Sequence, residues 1–122
     1  MKQLWLLAAA ILLVAGTAVA HGPDRGKHGG PQVDAGDYHV EMVAKDTTLS
    51  IYVSNDKDQP VDAKGFKATG LFVVGGKAQR IELKHEIENK LSGSSPVALP
   101  TKLKGAVQIM LPGGKTVQAK FE

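Results

Sequence analysis

Three of the four histidines of this chain lie close together in the sequence, and they carry its clearest chemical signal. His21, His28 and His39 fall within nineteen consecutive residues, and Glu41 follows two positions after the last of them. Because the chain has no cysteine, a metal ion could be held only by imidazole, carboxylate, methionine sulfur or backbone groups. We therefore predict a metal site formed by these four residues.

The chemistry available to His21 depends on a predicted leader. Residues 1–20 have the form of a secretory signal peptide, with a short basic start, an apolar run and the small residues Ala18-Val19-Ala20 at a cleavage site. Cleavage after Ala20 would give His21 a free α-amine beside its imidazole, and the two can bind one metal ion together. Cleavage after Ala18 would provide an amine, two amide nitrogens and an imidazole in the third position. Both nitrogen-rich sets favour Cu(II), so copper is the expected ion.

A cleaved leader predicts a periplasmic protein with no membrane contact after cleavage. An uncleaved anchor is the alternative, since the apolar stretch approaches the roughly 17–25 residues that cross a bilayer. The polar, glycine-rich sequence directly after Ala20 favours cleavage. In the mature chain Pro23 has no N–H, so backbone coordination cannot continue beyond Gly22. A second imidazole is then needed, from His28 or His39.

His39 and Glu41 belong to the first segment with a two-residue period. In this segment, GDYHVEMVA, the apolar residues alternate with His39, Glu41 and Val43, which is typical of a half-buried strand. His39 and Glu41 would share the outward face about 7 Å apart, which suits convergence on a metal or support of a ligand. Ordinary polar alternation on a solvent-facing strand explains the same two residues. For His21, the alternative is a polar residue without a role in a loose tail.

The elements that must position these residues are almost all short strands. Residues 21–35 are rich in glycine and proline and predict a flexible arm, and residues 36–122 form the domain. Hairpins are expected at 36–54 and 66–84, an edge strand at Val97–Leu99, and further strands at 106–111 and 116–122. His85–Gly93 reads as a connection with Ile87 and Leu91 packed under the sheets. About seven strands in roughly a hundred residues predict an antiparallel, immunoglobulin-like β-sandwich.

Composition and motifs exclude several functions. Without Lys2 the mature chain has 14 Lys and Arg against 12 Asp and Glu, with the signs interspersed and the few aromatic residues scattered, so nucleic acid is not an expected partner. The chain contains no strained nucleophile turn and no phosphate-binding glycine loop. Asn55, Asp56 and Asp58 lack the remaining ligands of a calcium loop. We therefore predict that the protein is not an enzyme.

Two longer stretches carry a resemblance. The run HGGPQVDAGDYHVEMVAKDTTLSIYVSNDKDQPVDAKG, with the later GGKAQRIEL and LPGGKTVQAKFE, resembles small exported bacterial β-sandwich proteins with an HGG...YHVE pattern. That group is associated with heavy-metal and copper-efflux gene neighbourhoods. The resemblance implies roles for His28, His39 and Glu41 and implies nothing about His21.

Three functions from different classes follow. The first is a periplasmic copper-binding protein that buffers the ion or delivers it to a metal-efflux partner. The second is a non-catalytic interaction or structural module that docks on an envelope protein. The third is a copper oxidase resembling the polysaccharide monooxygenases, which also begin with histidine. About 102 residues with few aromatic side chains leave little surface for a polysaccharide, which disfavours the third.

Overall fold

A computed structural model describes residues 25–122, and this range consists of strands, turns and loops. It contains no helix that could span a membrane. The eight strands are β1 (Gln32–Ala35), β2 (Tyr38–Lys45), β3 (Thr48–Asn55), β4 (Lys67–Val74), β5 (Lys77–Ile87), β6 (Lys90–Ser94), β7 (Gly105–Met110) and β8 (Thr116–Phe121). The all-β prediction is therefore confirmed.

The strands form one antiparallel sheet in the order β1-β2-β3-β6-β5-β4-β7-β8. The first and last strands of that order lie close together, so the sheet curves until it is nearly closed. A two-sheet, immunoglobulin-like arrangement is not confirmed, because β6 pairs with both β3 and β5 and joins the two halves of the chain. The inside of this curved sheet holds the hydrophobic core.

Alternate residues of each strand fill the core, as the two-residue period predicts. Met42 is buried and Met110 points outward, as their positions in the alternating pattern suggest. The largest fully buried side chains are Phe72, Met42, Leu49, Ile51, Ile81, Leu83, Leu91 and Ile109. These residues come from β2 to β7, and Ala35 of β1 and Phe121 of β8 belong to the same cluster, so one core holds the whole sheet together.

Two local predictions in the second half of the chain are wrong. His85–Gly93 is a hairpin formed by the end of β5 and the start of β6, with Glu88 in the turn at a positive φ of 51°. The register shifts between His85 and Ile87, and Ile87 is 56% exposed while Leu91 is buried as expected. Residues 97–99 form no strand; the N–H of Leu99 donates to the carbonyl of Asp46 instead.

The segment predicted to be a flexible arm is ordered where the structure describes it. Gln32–Ala35 forms β1, which pairs along its whole length with β2. The preceding Pro31 accepts a hydrogen bond from the N–H of Met42. Val33 and Ala35 supply only two apolar side chains, too few for a period to emerge beside the glycines and prolines. The folded unit thus begins before residue 36, and His21 lies outside the described residues.

Candidate functional site

Glu41 lies on the outer face of β2, yet it is only 3% exposed. The loop of residues 25–30 folds over it. Two glycines make this close approach possible: a Cβ on Gly26 would lie 2.3 Å from the Glu41 carboxyl carbon, and one on Gly30 would lie 2.0 Å from the carbonyl oxygen of Met42. The residue that the strand pattern assigns to solvent is therefore covered by its own chain.

The buried carboxylate of Glu41 anchors this loop through three hydrogen bonds. Its Oε2 accepts from the backbone N–H of His28 and of Gly30, each at 2.8 Å, and its Oε1 lies 2.9 Å from Nδ1 of His28. A buried carboxylate is tolerated only when its oxygens are satisfied in this way. Glu41 therefore fixes both the backbone and the ring of His28.

The ring of His28 is fixed on a second side by an aromatic stack. It lies parallel to Tyr52 of β3, with ring centroids 3.6 Å apart and planes inclined by 11°. Lys90 places its ammonium 5.8 Å from the centroid of the same tyrosine ring. Because a carboxylate can only accept hydrogen bonds, Nδ1 carries the proton in the neutral imidazole and Nε2 has the lone pair. This is the tautomer in which Nε2 can bind a metal ion.

His39 lies between two carboxylates. Its Nδ1 bonds Oδ1 of Asp58 at 2.8 Å, and its Nε2 lies 3.3 Å from Oδ1 of Asp34, the residue opposite it on β1. Gln32, which is opposite Glu41, also donates to Asp58 at 3.2 Å. His39 thus connects β1, β2 and the turn after β3, and a metal could reach either ring nitrogen only by displacing a carboxylate.

The pKa of Asp58 reports this connection. The hydrogen bond from His39 lowers the pKa of the Asp58 carboxyl below 3.8, against the opposing effect of desolvation. The stabilisation that ionised Asp58 gives the fold should therefore be present above about pH 4 and be lost as the pH falls through the lowered pKa.

We expect an NMR titration of the Asp58 carboxyl to show a midpoint below 3.8, and His39→Asn to raise that midpoint. His85→Asn, remote from this turn, should leave it unchanged; an unmoved midpoint in His39→Asn would contradict the pairing.

An open cleft of about 330 Å³ runs beside these groups. It is lined by the loop of residues 25–28, by side chains of β1, β2 and β3, by the turn after β3 and by Asn89. His28, Glu41, Tyr52 and Asp58 all line it. The cleft is large enough for a small ligand or a hydrated ion beside the His28 ring.

Of the predicted ligands, the structure brings His28 and Glu41 into direct contact and places His39 on the same outer face. Within residues 25–122, no three His, Asp or Glu side chains are grouped so that they could hold a metal ion unaided. Sequence reasoning missed Tyr52, Asp34 and Asp58 as neighbours of the histidines. Asp34 could have been found only from the pairing of β1 with β2, which the glycine-rich sequence conceals.

No family model, curated protein or solved structure matches this chain. The fold and the site therefore characterise it as an all-β protein with a histidine and a buried carboxylate paired beside an outer-face cleft.

Proposed function

We propose that this is an exported, periplasmic protein that binds a copper ion and buffers it or passes it to an efflux partner. One observation carries the proposal: the pairing of the His28 ring with the buried carboxylate of Glu41. Histidines that bind metals commonly donate their other ring N–H to a carboxylate, which fixes the tautomer and increases the basicity of the ligating nitrogen. The resemblance to exported proteins with an HGG...YHVE pattern, which includes these two residues, agrees with it.

The residues have different roles in this proposal. Nε2 of His28 is a ligand, whereas Glu41 acts by holding His28, because both of its oxygens already accept hydrogen bonds. The amine and imidazole of His21, exposed by cleavage after Ala20, complete a nitrogen-rich set suited to Cu(II). Seven residues of chain reach at most about 25 Å, so chain length allows His21 to meet an ion at His28. His39 can become a further ligand only if one of its ring nitrogens releases its carboxylate partner, Asp58 or Asp34.

Copper titration of the exported protein, followed by mass spectrometry under non-denaturing conditions, tests this function. We expect one copper ion per chain, and we expect His28→Ala to reduce the affinity by more than the roughly 10–100-fold typical of losing an orienting partner. His21→Ala should also weaken binding. His85→Ala is the matched control, because His85 bonds only the nearby carbonyl of Glu88, and it should bind as the parent does.

Two results would reject the copper proposal. One is a correctly processed protein that holds no more copper than the His28→Ala variant. The other is an equal loss in His85→Ala, which would indicate nonspecific binding to surface histidines.

The second candidate function is a non-catalytic interaction or structural module of the cell envelope. The saturation of the polar cluster favours it: Glu41 is fully hydrogen-bonded, and both ring nitrogens of His39 face carboxylates. In this candidate the network has a structural role, which is to attach residues 25–35 to the sheet. This candidate predicts that the His28→Ala protein loses stability and retains all of its partner binding.

A further inference from the structure

The outer face of β4, β5, β7 and β8 gathers charges that are dispersed in the sequence. Its outward charged side chains are Lys67, Arg80, Lys84 and Lys120, with Glu82 and Glu86 as the anions. Four cations and two anions give this surface, here named the basic face, a net charge of +2. On the outer face of β1 to β3 the exposed Asp34 and Lys45 balance each other, and Glu41 is buried beneath the loop of residues 25–30. The strands of the basic face therefore carry the larger excess of positive charge.

Large apolar side chains stand exposed among the cations of the basic face. Leu71 is 47% exposed, Val73 is 62% exposed and Met110 is 45% exposed. Strand register interleaves them with the charges: Lys67 lies between Lys84 and Met110, and Leu71 lies opposite Arg80. Exposing an apolar side chain to water is unfavourable. Beside a lysine or arginine, however, such a side chain suits a surface with anionic groups on the outside and apolar material beneath them.

The shape of the basic face indicates which kind of partner it fits. The sheet is nearly closed, so its outer surface is convex, and a convex surface cannot enclose an extended peptide. A fluid bilayer can conform to it. Lysine and arginine stems can lie along apolar material while their charged ends contact lipid phosphates. We infer that the basic face docks on an anionic lipid surface, with Leu71, Val73 and Met110 entering the headgroup region.

This inference departs from the sequence prediction of no membrane contact after leader cleavage. That prediction depended on removal of the apolar leader. Antiparallel pairing forms a surface that the linear sequence does not show, because residues far apart in sequence, such as Lys67 and Lys84, become direct neighbours on one face. The inference does not involve the histidine cluster and is independent of the proposed copper function.

Vesicle sedimentation tests the docking. The protein beginning at His21 is suitable, because it contains all eight strands and the core that the structure describes in residues 25–122. We expect it to sediment with vesicles of phosphatidylcholine and phosphatidylglycerol, to bind pure phosphatidylcholine weakly, and to be released by salt. Lys67→Gln combined with Lys84→Gln should lower the partition coefficient roughly 25-fold, at about fivefold per charge. Lys45→Gln combined with Lys57→Gln removes the same charge outside the basic face and should have a much smaller effect.

The apolar contribution needs its own pair of variants. Leu71→Ser combined with Val73→Ser should weaken vesicle binding without changing the net charge, whereas Val97→Ser, an exposed position outside the basic face, should not. Circular dichroism establishes that each variant is folded. Absence of binding to anionic vesicles, or equal losses in face and control variants, would overturn the inference. Binding to soluble polyglutamate as strong as to vesicles would also overturn it and would assign the face to an acidic polypeptide.

Discussion

Glu41→Gln should weaken copper binding about 10–100-fold while leaving the protein folded. The glutamine oxygen can still accept the backbone N–H groups of His28 and Gly30, which now bond Oε2 of the glutamate. The amide NH₂ then faces Nδ1 of His28 and must donate to it. The imidazole is forced into the opposite tautomer, with the proton on Nε2, and this nitrogen can no longer bind a metal ion.

The stability cost of Glu41→Gln should be modest. Two hydrogen bonds to a charged acceptor become bonds to a neutral one, and we expect a loss of about 1–2 kcal/mol in the free energy of unfolding. Glu41→Ala is a different change, because it leaves two backbone N–H groups without their acceptor and should release the loop of residues 25–30. Comparison of the two variants separates attachment of the loop from control of the tautomer.

Nitrogen NMR of the His28 ring provides a readout that requires no metal. The parent should show the proton on Nδ1, and Glu41→Gln should show it on Nε2. Glu82→Gln makes the same chemical change at an exposed strand position paired with Arg80, and it should alter neither the tautomer nor copper binding. Parent-like copper affinity in Glu41→Gln, with the tautomer reversed, would remove Nε2 of His28 from the site.

The largest loss of stability should come from Phe72→Ala, at about 3–5 kcal/mol. Phe72 is fully buried and is the largest such side chain in the core. Its ring occupies space left by glycine: a Cβ on Gly70 would lie 2.5 Å from the ring atom Cε2. Gly70→Ala should therefore cost about 1–3 kcal/mol through overpacking.

A double-mutant cycle tests the physical cause of both losses. Once Phe72 is alanine, the methyl group of Gly70→Ala meets no ring, so the double variant should be more stable than the sum of the single losses implies. We expect a coupling energy of about 0.5–3 kcal/mol, measured by urea unfolding. Val73→Ala, at the exposed position next along β4, is the control and should change stability by less than about 1 kcal/mol. Simple additivity would mean that Gly70 is not required by the Phe72 ring.

The alternating pattern determined most of the sheet. In β2, β3, β7 and β8 the apolar residues recur at every second position. The structure buries most of this set, including Val40, Ile51 and Val117, and the partly buried Tyr38 and Ala44 pack against it. The local pattern can predict which side chains are buried, because the side chains of a strand alternate between the two faces of the sheet whichever strand is its partner. It failed for β1 and for the hairpin of β5 and β6, where few apolar residues or a register shift weaken the alternation.

For the candidate site, the sequence identified His28, His39 and Glu41 as residues of interest from their types and spacing. It could not show that Glu41 is buried, because burial arises when residues 25–30 cross the outer face of β2. Nor could it show Tyr52 beneath His28 or the two carboxylates around His39, since these contacts depend on how separate strands are paired. His21 remains a prediction from the sequence.

The sequence by itself determined an all-β chain, the composition of its core and the candidate ligands, because each of these depends on residue types and their local period. Only the tertiary structure decided that the sheet is continuous and nearly closed, that a carboxylate on its surface is buried and orients a histidine, and that dispersed lysines share one convex face. The physical reason is that strand pairing brings together residues distant in the chain, and the free energy that selects a pairing belongs to the assembled core rather than to any single segment.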